Sequence, residues 1–210
     1  MNFLLILAHP SDKSFCYEIT RTLENELSEN GHKYRLRDLY QLDFDPVLRP
    51  SDLGSLKAGI IPDGILAEQE HIRWADVLVF VYPIWWTGMP AIMKGYVDRV
   101  FSSGFAYAYN DNNPVGLLTD KKALILNTQG YTKEYYDSIG MTEALRKTTD
   151  QGIFNFCGIE VVDHLFFGDV PSMPVLVKLS YLEEVIQILQ QFVMPQPSTK
   201  INYNLTFQKE

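Results

Sequence analysis

Apolar positions along the chain follow two periods that alternate from one end to the other. Asn2 to Ala8 is an almost unbroken apolar run, the pattern of a strand buried on both faces. A helix is expected from near Ser14, with Cys16, Ile19, Leu23 and Leu27 along one face and Gly31 as its stop. Lys33 to Asp38 alternates like a strand near a sheet edge, and Tyr40 to Ile61 is a polar, Pro-containing excursion without clear periodicity. Gly64 to Ala75 predicts a helix, and Val77 to Tyr82 a third strand, apolar throughout. A helix from Pro90 to about Ser102, a strand from Lys122 to Asn127, a helix from Thr142 to Phe154 and a strand from Glu160 to Phe167 follow. The last helix, behind Pro171 and Pro174, turns Leu182, Val185, Ile186, Leu189 and Phe192 inward and stops at Pro195 and Pro197.

Strands separated by helices require a parallel sheet covered on both faces, because right-handed crossovers place the helices there. The expected architecture is a doubly wound α/β domain over residues 1–194, with 195–210 as an extended arm or a disordered tail. No Gly-x-Gly-x-x-Gly follows the first strand, so the Rossmann dinucleotide fingerprint is absent.

Composition narrows the function. With 210 residues and 46% hydrophobic content the chain can bury one sizeable core, and no apolar run is long enough to cross a bilayer. The apolar start lacks a basic flank and is too short for a signal peptide, so a cytoplasmic protein without membrane insertion is expected. A formal charge of −8 argues against nucleic acid as a partner. Cys16 and Cys157 match no metal or redox spacing and read as core residues, and no His/Asp/Glu cluster has metal-ligand spacing.

Two loops carry chemistry. After the first strand, Ala8-His-Pro-Ser-Asp-Lys-Ser-Phe-Cys16 delivers Ser11, Lys13 and Ser14 to the start of a helix, where backbone N–H groups favour an anion such as a phosphate. The same residues also read as a plain cap by Ser14, with His9 bonded to a loop carbonyl. After the third strand, Pro83, Ile84, Trp85, Trp86 and Thr87 form an aromatic loop that either carries a planar cofactor or packs against neighbouring loops or a partner subunit. The loop from Asn127 through Thr128, Gln129 and Gly130 to Tyr136 would close such a pocket, with Gly130 permitting close backbone approach. Lys94 and Arg99 read as a solvated helix face, Asp98 as a local ion pair with Arg99, and His71 and His164 as surface or loop histidines.

With these residues in place, the chain resembles the flavodoxin-like NAD(P)H:quinone reductases, the family of DT-diaphorase and the modulator-of-drug-activity proteins. The resemblance covers about residues 3 to 170. It rests on Leu7-Ala-His-Pro with Ser14-Phe15, Pro83-Ile-Trp-Trp with Met89-Pro-Ala-Ile-Met-Lys-Gly95, Asp98-Arg-Val-Phe101 and Gly104-Phe-Ala-Tyr-Ala-Tyr109. It implies a five-stranded sheet in the order 2-1-3-4-5, a homodimer and FAD, with FMN as the alternative. It also implies ping-pong hydride transfer from NAD(P)H through flavin N5 to a quinone or a similar azo or nitro acceptor. By this resemblance His9, Phe15 and Cys16 lie at the flavin phosphates, Ile84 to Thr87 along the ring and Asn127 to Gly130 at its polar edge. Phe105, Ala106 and Tyr107 line the acceptor site, and Tyr135 or Tyr136 takes the place of the family's catalytic Tyr. The family's His falls near Met141 or Thr142, where this chain has none. Two other roles are open to such a chain: a flavodoxin-type electron carrier, or an ancillary flavoprotein subunit of a potassium-efflux system.

Overall fold

The computed structural model describes residues 1–111 and 113–193. Five parallel strands form the central sheet in the order β2-β1-β3-β6-β7: β1 (Asn2–Leu7), β2 (Lys33–Asp38), β3 (Val77–Pro83), β6 (Lys122–Thr128) and β7 (Glu160–Phe167). In strand sequence that is the expected order 2-1-3-4-5. β3 is buried along its whole length, as an uninterrupted apolar run in the middle of a parallel sheet must be.

Alternate residues of each strand feed two separate apolar layers. Leu4, Ile6, Leu78, Phe80 and Ile125 pack beneath α3 (Asp63–Trp74) and α4 (Ala91–Val100), which contribute Ile65, Ile72, Met93 and Tyr96. Phe3, Leu5, Leu7, Val79 and Leu126 pack beneath α1 (Phe15–Glu29) and α7 (Val175–Val193), which supply Ile19, Leu23, Val185 and Leu189. Of the five inward positions expected on the last helix, Val185 and Leu189 are buried, while Leu182, Ile186 and Phe192 are half-buried. The proposed arm or tail at 195–210 lies outside the described residues.

The structure departs from the sequence reading in several places. Tyr40 to Ile61 is anchored rather than loose: it contains a helix, α2 (Pro50–Lys57), and Arg99 of α4 reaches across to it. The Arg99 guanidinium bonds Asp52 at 3.1 Å and the Asp45 carbonyl at 2.6 Å. Arg99 is therefore no part of a solvated face, and Asp98 pairs with Lys94 at 2.5 Å instead of with Arg99. Helical spacing could not reveal this, because the partners of Arg99 lie about fifty residues earlier in the chain. An antiparallel hairpin, β4 (Tyr107–Asn110) and β5 (Asn113–Gly116), and a short helix, α5 (Lys133–Ser138), were also not expected. The helix at 142–154 begins as α6 (Met141–Arg146) and widens into a π-helical turn over Lys147–Phe154.

The same packing explains Gly95. A Cβ there would overlap the backbone of Pro46, so α4 and the 40–61 segment can approach only with hydrogen at this position. Gly95→Ala is expected to lower the unfolding free energy by roughly 1–3 kcal/mol through overpacking, despite a helix-propensity gain of about 1 kcal/mol. Urea denaturation reads the sign directly, and a stabilised variant would show that the contact is slack.

Candidate functional site

The sheet reverses its winding between β1 and β3, since β2 lies outside one and β6 outside the other. Loops leaving the carboxyl ends of β1, β3 and β6 therefore diverge onto the two helical layers and leave a crevice between them, the usual ligand position in such sheets. The sequence-predicted loops at His9, Ile84 and Gln129 are these three.

The first loop ends in a prepared helix start. Ser14 caps α1, its Oγ accepting the Tyr17 N–H at 3.4 Å. The N–H groups of Phe15 and Cys16 have no partner among the described residues, so two donors at the positive end of a fifteen-residue helix remain for an anion. A cavity of about 370 Å³ opens beside them, lined by His9, Ser11, Lys13, Ser14, Thr128 and Lys178 among others. Lys178 reaches it from α7 and bonds Glu18 at 2.6 Å. The sequence held no local signal for this residue, which stands far along the chain from the turn it serves.

His9 Nδ1 lies 3.0 Å from the Ser11 nitrogen and 3.1 Å from its carbonyl oxygen, which holds the ring to its own loop. Burial pulls its pKa below the ordinary histidine value, against the opposing pull of Ser11. Nε2 has no partner among the described residues. Phe15 is packed against Phe167, with ring centres 6.0 Å apart, so only its backbone faces the crevice. Cys16 points inward as well: its Sγ is 3.3 Å from Thr128 Oγ1, and burial pushes the thiol up to about 12. Neither Cys16 nor the buried Cys157, raised to about 11 for the same reason, is a nucleophile at neutral pH.

The second loop is a tight reversal. Trp85 N–H donates to the Gly88 carbonyl at 3.0 Å and Gly88 N–H returns the bond at 3.1 Å. The two residues between them, Trp86 and Thr87, sit in the left-handed region at φ 50° and 58°. That is the backbone of a type I′ turn, in which Asn and Gly are the ordinary occupants. A Trp and a β-branched Thr in these positions cost roughly 1–2 kcal/mol each. The strain holds a Trp86 side chain that is 100% exposed and a Trp85 that is 41% exposed beside the His9 ring, 6.0 Å away. Ile84 and Pro83 are buried beneath them. Strain of this kind persists where a site requires the geometry.

The third loop contributes unpaired groups. Gln129 is buried with Oε1 lacking a partner among the described residues, while Nε2 donates to the Tyr131 carbonyl at 3.2 Å. Gly130 is exposed, and the space around its absent Cβ is open within 4 Å. Asn127 is turned into the core and bonds His164 and the Tyr82 carbonyl, so its side chain does not face the crevice. Tyr135 is exposed and Tyr136 buried, and both stack with Tyr131, with ring centres 4.9 Å and 6.2 Å from it. Burial raises the Tyr136 phenol, with Tyr131 and Tyr135 adding to the effect, so it remains a proton donor at neutral pH.

Other residues predicted for the site lie elsewhere. Phe105 and Ala106 are buried in their own chain, and Phe105 lines a hollow with Arg73, Leu118 and Lys121. Lys121 bonds the Ala75 carbonyl at 2.8 Å, which puts that hollow at the amino end of β3, across the sheet from the crevice. Tyr107 is half-buried against Tyr109 and Phe156. His164 is not a surface or loop histidine. It lies on β7 with no exposed surface and bonds Asp150 and Asn127. Its sharing of a strand face with the apolar Phe166 was the signal that could have placed it inside. No group of His, Cys, Asp and Glu suited to a metal ion occurs among the described residues. Nor is any helix among them long and apolar enough to cross a membrane.

The family described as having a flavodoxin-like fold matches residues 1–187. An uncharacterized NAD(P)H oxidoreductase of Haemophilus influenzae is 42% identical over 171 residues, covering 81% of this chain and 85% of that protein. A rat ribosyldihydronicotinamide dehydrogenase [quinone] is 34% identical, covering 76% of this chain and 78% of that one. The solved structure of an NAD(P)H:quinone oxidoreductase from Methanothermobacter marburgensis superposes with a TM-score of 0.81 at 30% identity, covering 89% of this chain and 96% of that one. With the sheet order, the reversal at β1 and β3 and the aromatic turn at its mouth, these likenesses lead to one conclusion: the chain belongs to the flavodoxin-like family of NAD(P)H dehydrogenases (quinone).

Proposed function

We propose that the protein is a flavin-dependent NAD(P)H:quinone oxidoreductase that works by a ping-pong cycle, with both substrates using one position in turn. The observation that carries this reading is the exposed Trp85–Trp86 pair, held on a strained turn with the Trp85 ring 6.0 Å from that of His9, which lines the cavity at the α1 start. An aromatic face and an anion cradle on the loops of adjoining strands suit the two ends of a flavin nucleotide. Gln129, with a buried acceptor that lacks a partner, supports the same fit at the polar edge. FAD is the proposed cofactor and FMN the alternative, because the α1 start serves the phosphate of either.

The bound flavin would supply the hydride chemistry, which leaves binding, orientation and electrostatics to the chain. Phe15 and Cys16 N–H, helped by Lys13 and Lys178, hold phosphate charge. Ile84, Trp85, Trp86 and Thr87 cover the ring and exclude water, while Thr128, Gln129 and Gly130 meet its polar edge. Tyr136, kept protonated by burial, can donate a hydrogen bond where negative charge develops, and the exposed Tyr135 stands next to it. The acceptor is a quinone or a similar azo or nitro compound. Of the residues expected at the acceptor, Phe105 and Ala106 are buried in their own chain, and the half-buried Tyr107 could reach it only from a second copy, so the proposed working unit is a cytoplasmic homodimer. An electron carrier or an ancillary channel subunit would not require two adjacent Trp rings held exposed at the mouth of the crevice.

Cofactor release followed by mass spectrometry, with initial rates at several NAD(P)H and quinone concentrations, tests the proposal. FAD or FMN in the purified protein and parallel double-reciprocal lines are expected; a flavin-free protein that does not oxidise NAD(P)H would end it. Trp86→Ala is expected to weaken flavin binding about tenfold or more, the scale of one lost stacking contact. Unchanged affinity in fluorescence titration would remove Trp86 from the ring face. Thr87→Gly should raise the stability of the flavin-free protein by roughly 0.5–1 kcal/mol, because glycine occupies the left-handed region without penalty. A lower urea midpoint would show that the turn is relaxed.

A further inference from the structure

Beneath the proposed flavin loops runs a buried polar chain that the function so far does not use. His164 Nδ1 lies 2.6 Å from Asp150 Oδ1, and His164 Nε2 lies 2.6 Å from Asn127 Oδ1. Asn127 Nδ2 donates to the Tyr82 carbonyl at 3.2 Å, and Asn127 and Tyr82 face each other in the β3–β6 register. The imidazole is stacked on Phe166 at 4.1 Å between ring centres, which fixes its plane. Arg146 donates to the His164 carbonyl at 2.6 Å and has a second nitrogen 3.7 Å from Asp150.

The Asn127 amide sets the direction of its own bonds. With its nitrogen on a carbonyl, the Asn127 amide must present oxygen to His164, so Nε2 carries a proton. Burial pulls the His164 pKa down, while Asp150 and Asp163 pull the other way and Arg146 adds to the downward effect. Asp163 Oδ1 also accepts the His164 backbone N–H at 2.7 Å.

Such a network is expensive to desolvate, and three apolar side chains could fill its place in the sheet. Asp150 is moreover presented from a π-helical turn, a rare geometry that gathers at functional positions. The network's position is informative. Tyr82 stands just before the Pro83–Thr87 loop, and Asn127 just before Thr128–Gly130. Ile84 N–H donates to the Thr128 carbonyl at 2.7 Å, so the two loops leave the sheet tied together, while Gln129 N–H donates to the Phe167 carbonyl at 2.9 Å and ties the second loop to β7.

We propose that His164 and Asp150 are positioning residues: they orient the Asn127 amide so that it clamps the carboxyl ends of β3 and β6, and thereby set the spacing of the two loops that hold the flavin ring. The inference rests on the flavin site proposed above. His164→Gln keeps a donor near the place of Nε2, whereas the shorter side chain of His164→Asn cannot reach Asn127.

The test is FAD and FMN titration of the flavin-free wild type and both variants, with amide hydrogen exchange in the same flavin-free samples. His164→Asn is expected to raise the flavin dissociation constant about tenfold, the scale of one orphaned buried acceptor. It should speed exchange at Ile84 and Gln129 while Leu4 to Ile6 exchange as in wild type, and His164→Gln should bind within about twofold of wild type. If His164→Asn does not fold, Asn127→Asp, which strips the Tyr82 carbonyl of its donor, should give the same local exchange and the same loss.

Wild-type affinity in His164→Asn would overturn the inference, as would exchange that rises uniformly across the sheet, or a His164→Gln variant as weak as His164→Asn. A wild type that binds neither flavin would instead overturn the flavin reading, and this inference with it.

Discussion

Everything at the proposed site depends on the reversal of winding between β1 and β3. Parallel hydrogen bonding places β1 directly beside β3, from Phe3 opposite Val77 to Leu7 opposite Val81, while the chain leaves them toward opposite helical layers. Two loops of adjoining strands therefore have no reason to pack on each other, and the crevice between them is a consequence of topology before any side chain is chosen. The apolar residues of β3 serve this directly, since each one is needed to bury a strand that has neighbours on both sides and helices above and below.

Upon that frame the three loops divide the work by the kind of physical resource each offers. The α1 start offers backbone donors that the helix itself cannot use. The Trp85–Gly88 reversal offers aromatic surface and keeps it exposed by confining Trp86 and Thr87 to an unfavourable backbone region. The third loop offers polar groups and the Tyr136 phenol, whose proton burial retains. The scaffold that carries these loops is also joined by polar ties between its elements. Arg99 joins α4 to the 45–52 segment, and Arg37, Glu68 and Tyr96 join β2, α3 and α4. Breaking one partner of such a tie would leave an uncompensated buried charge, so these residues constrain the fold more than their net contribution to stability suggests.

What could be read in the sequence followed from local periodicity. β1, β3 and β6 were visible because a strand buried on both faces leaves an apolar run, and α1 because Cys16, Ile19, Leu23 and Leu27 mark one stripe. The loops at His9 and Trp85 were visible because their residue types are costly anywhere but at a cap or a ligand. Hidden from the sequence were features made by partners far apart in the chain. The Arg99 clamp needs Asp52, the His164 network needs Asp150 and Asn127, and Lys178 reaches the first loop from the last helix. Short elements such as Lys133–Ser138 were missed for a different reason: six residues do not establish a period. The left-handed backbone at Trp86 and Thr87 was equally silent, because neither residue type announces it.

The central claim is that the loops after β1, β3 and β6 form a single flavin site. The most direct test is amide hydrogen exchange of the protein freed of cofactor, with and without saturating FAD or FMN. The account predicts added protection in three separated stretches, around residues 9–16, 84–88 and 128–131, appearing together at one flavin concentration, with the β2 edge of the sheet unchanged. Protection confined to one of these stretches, or centred on the Arg73–Lys121 hollow at the opposite end of the sheet, would contradict it.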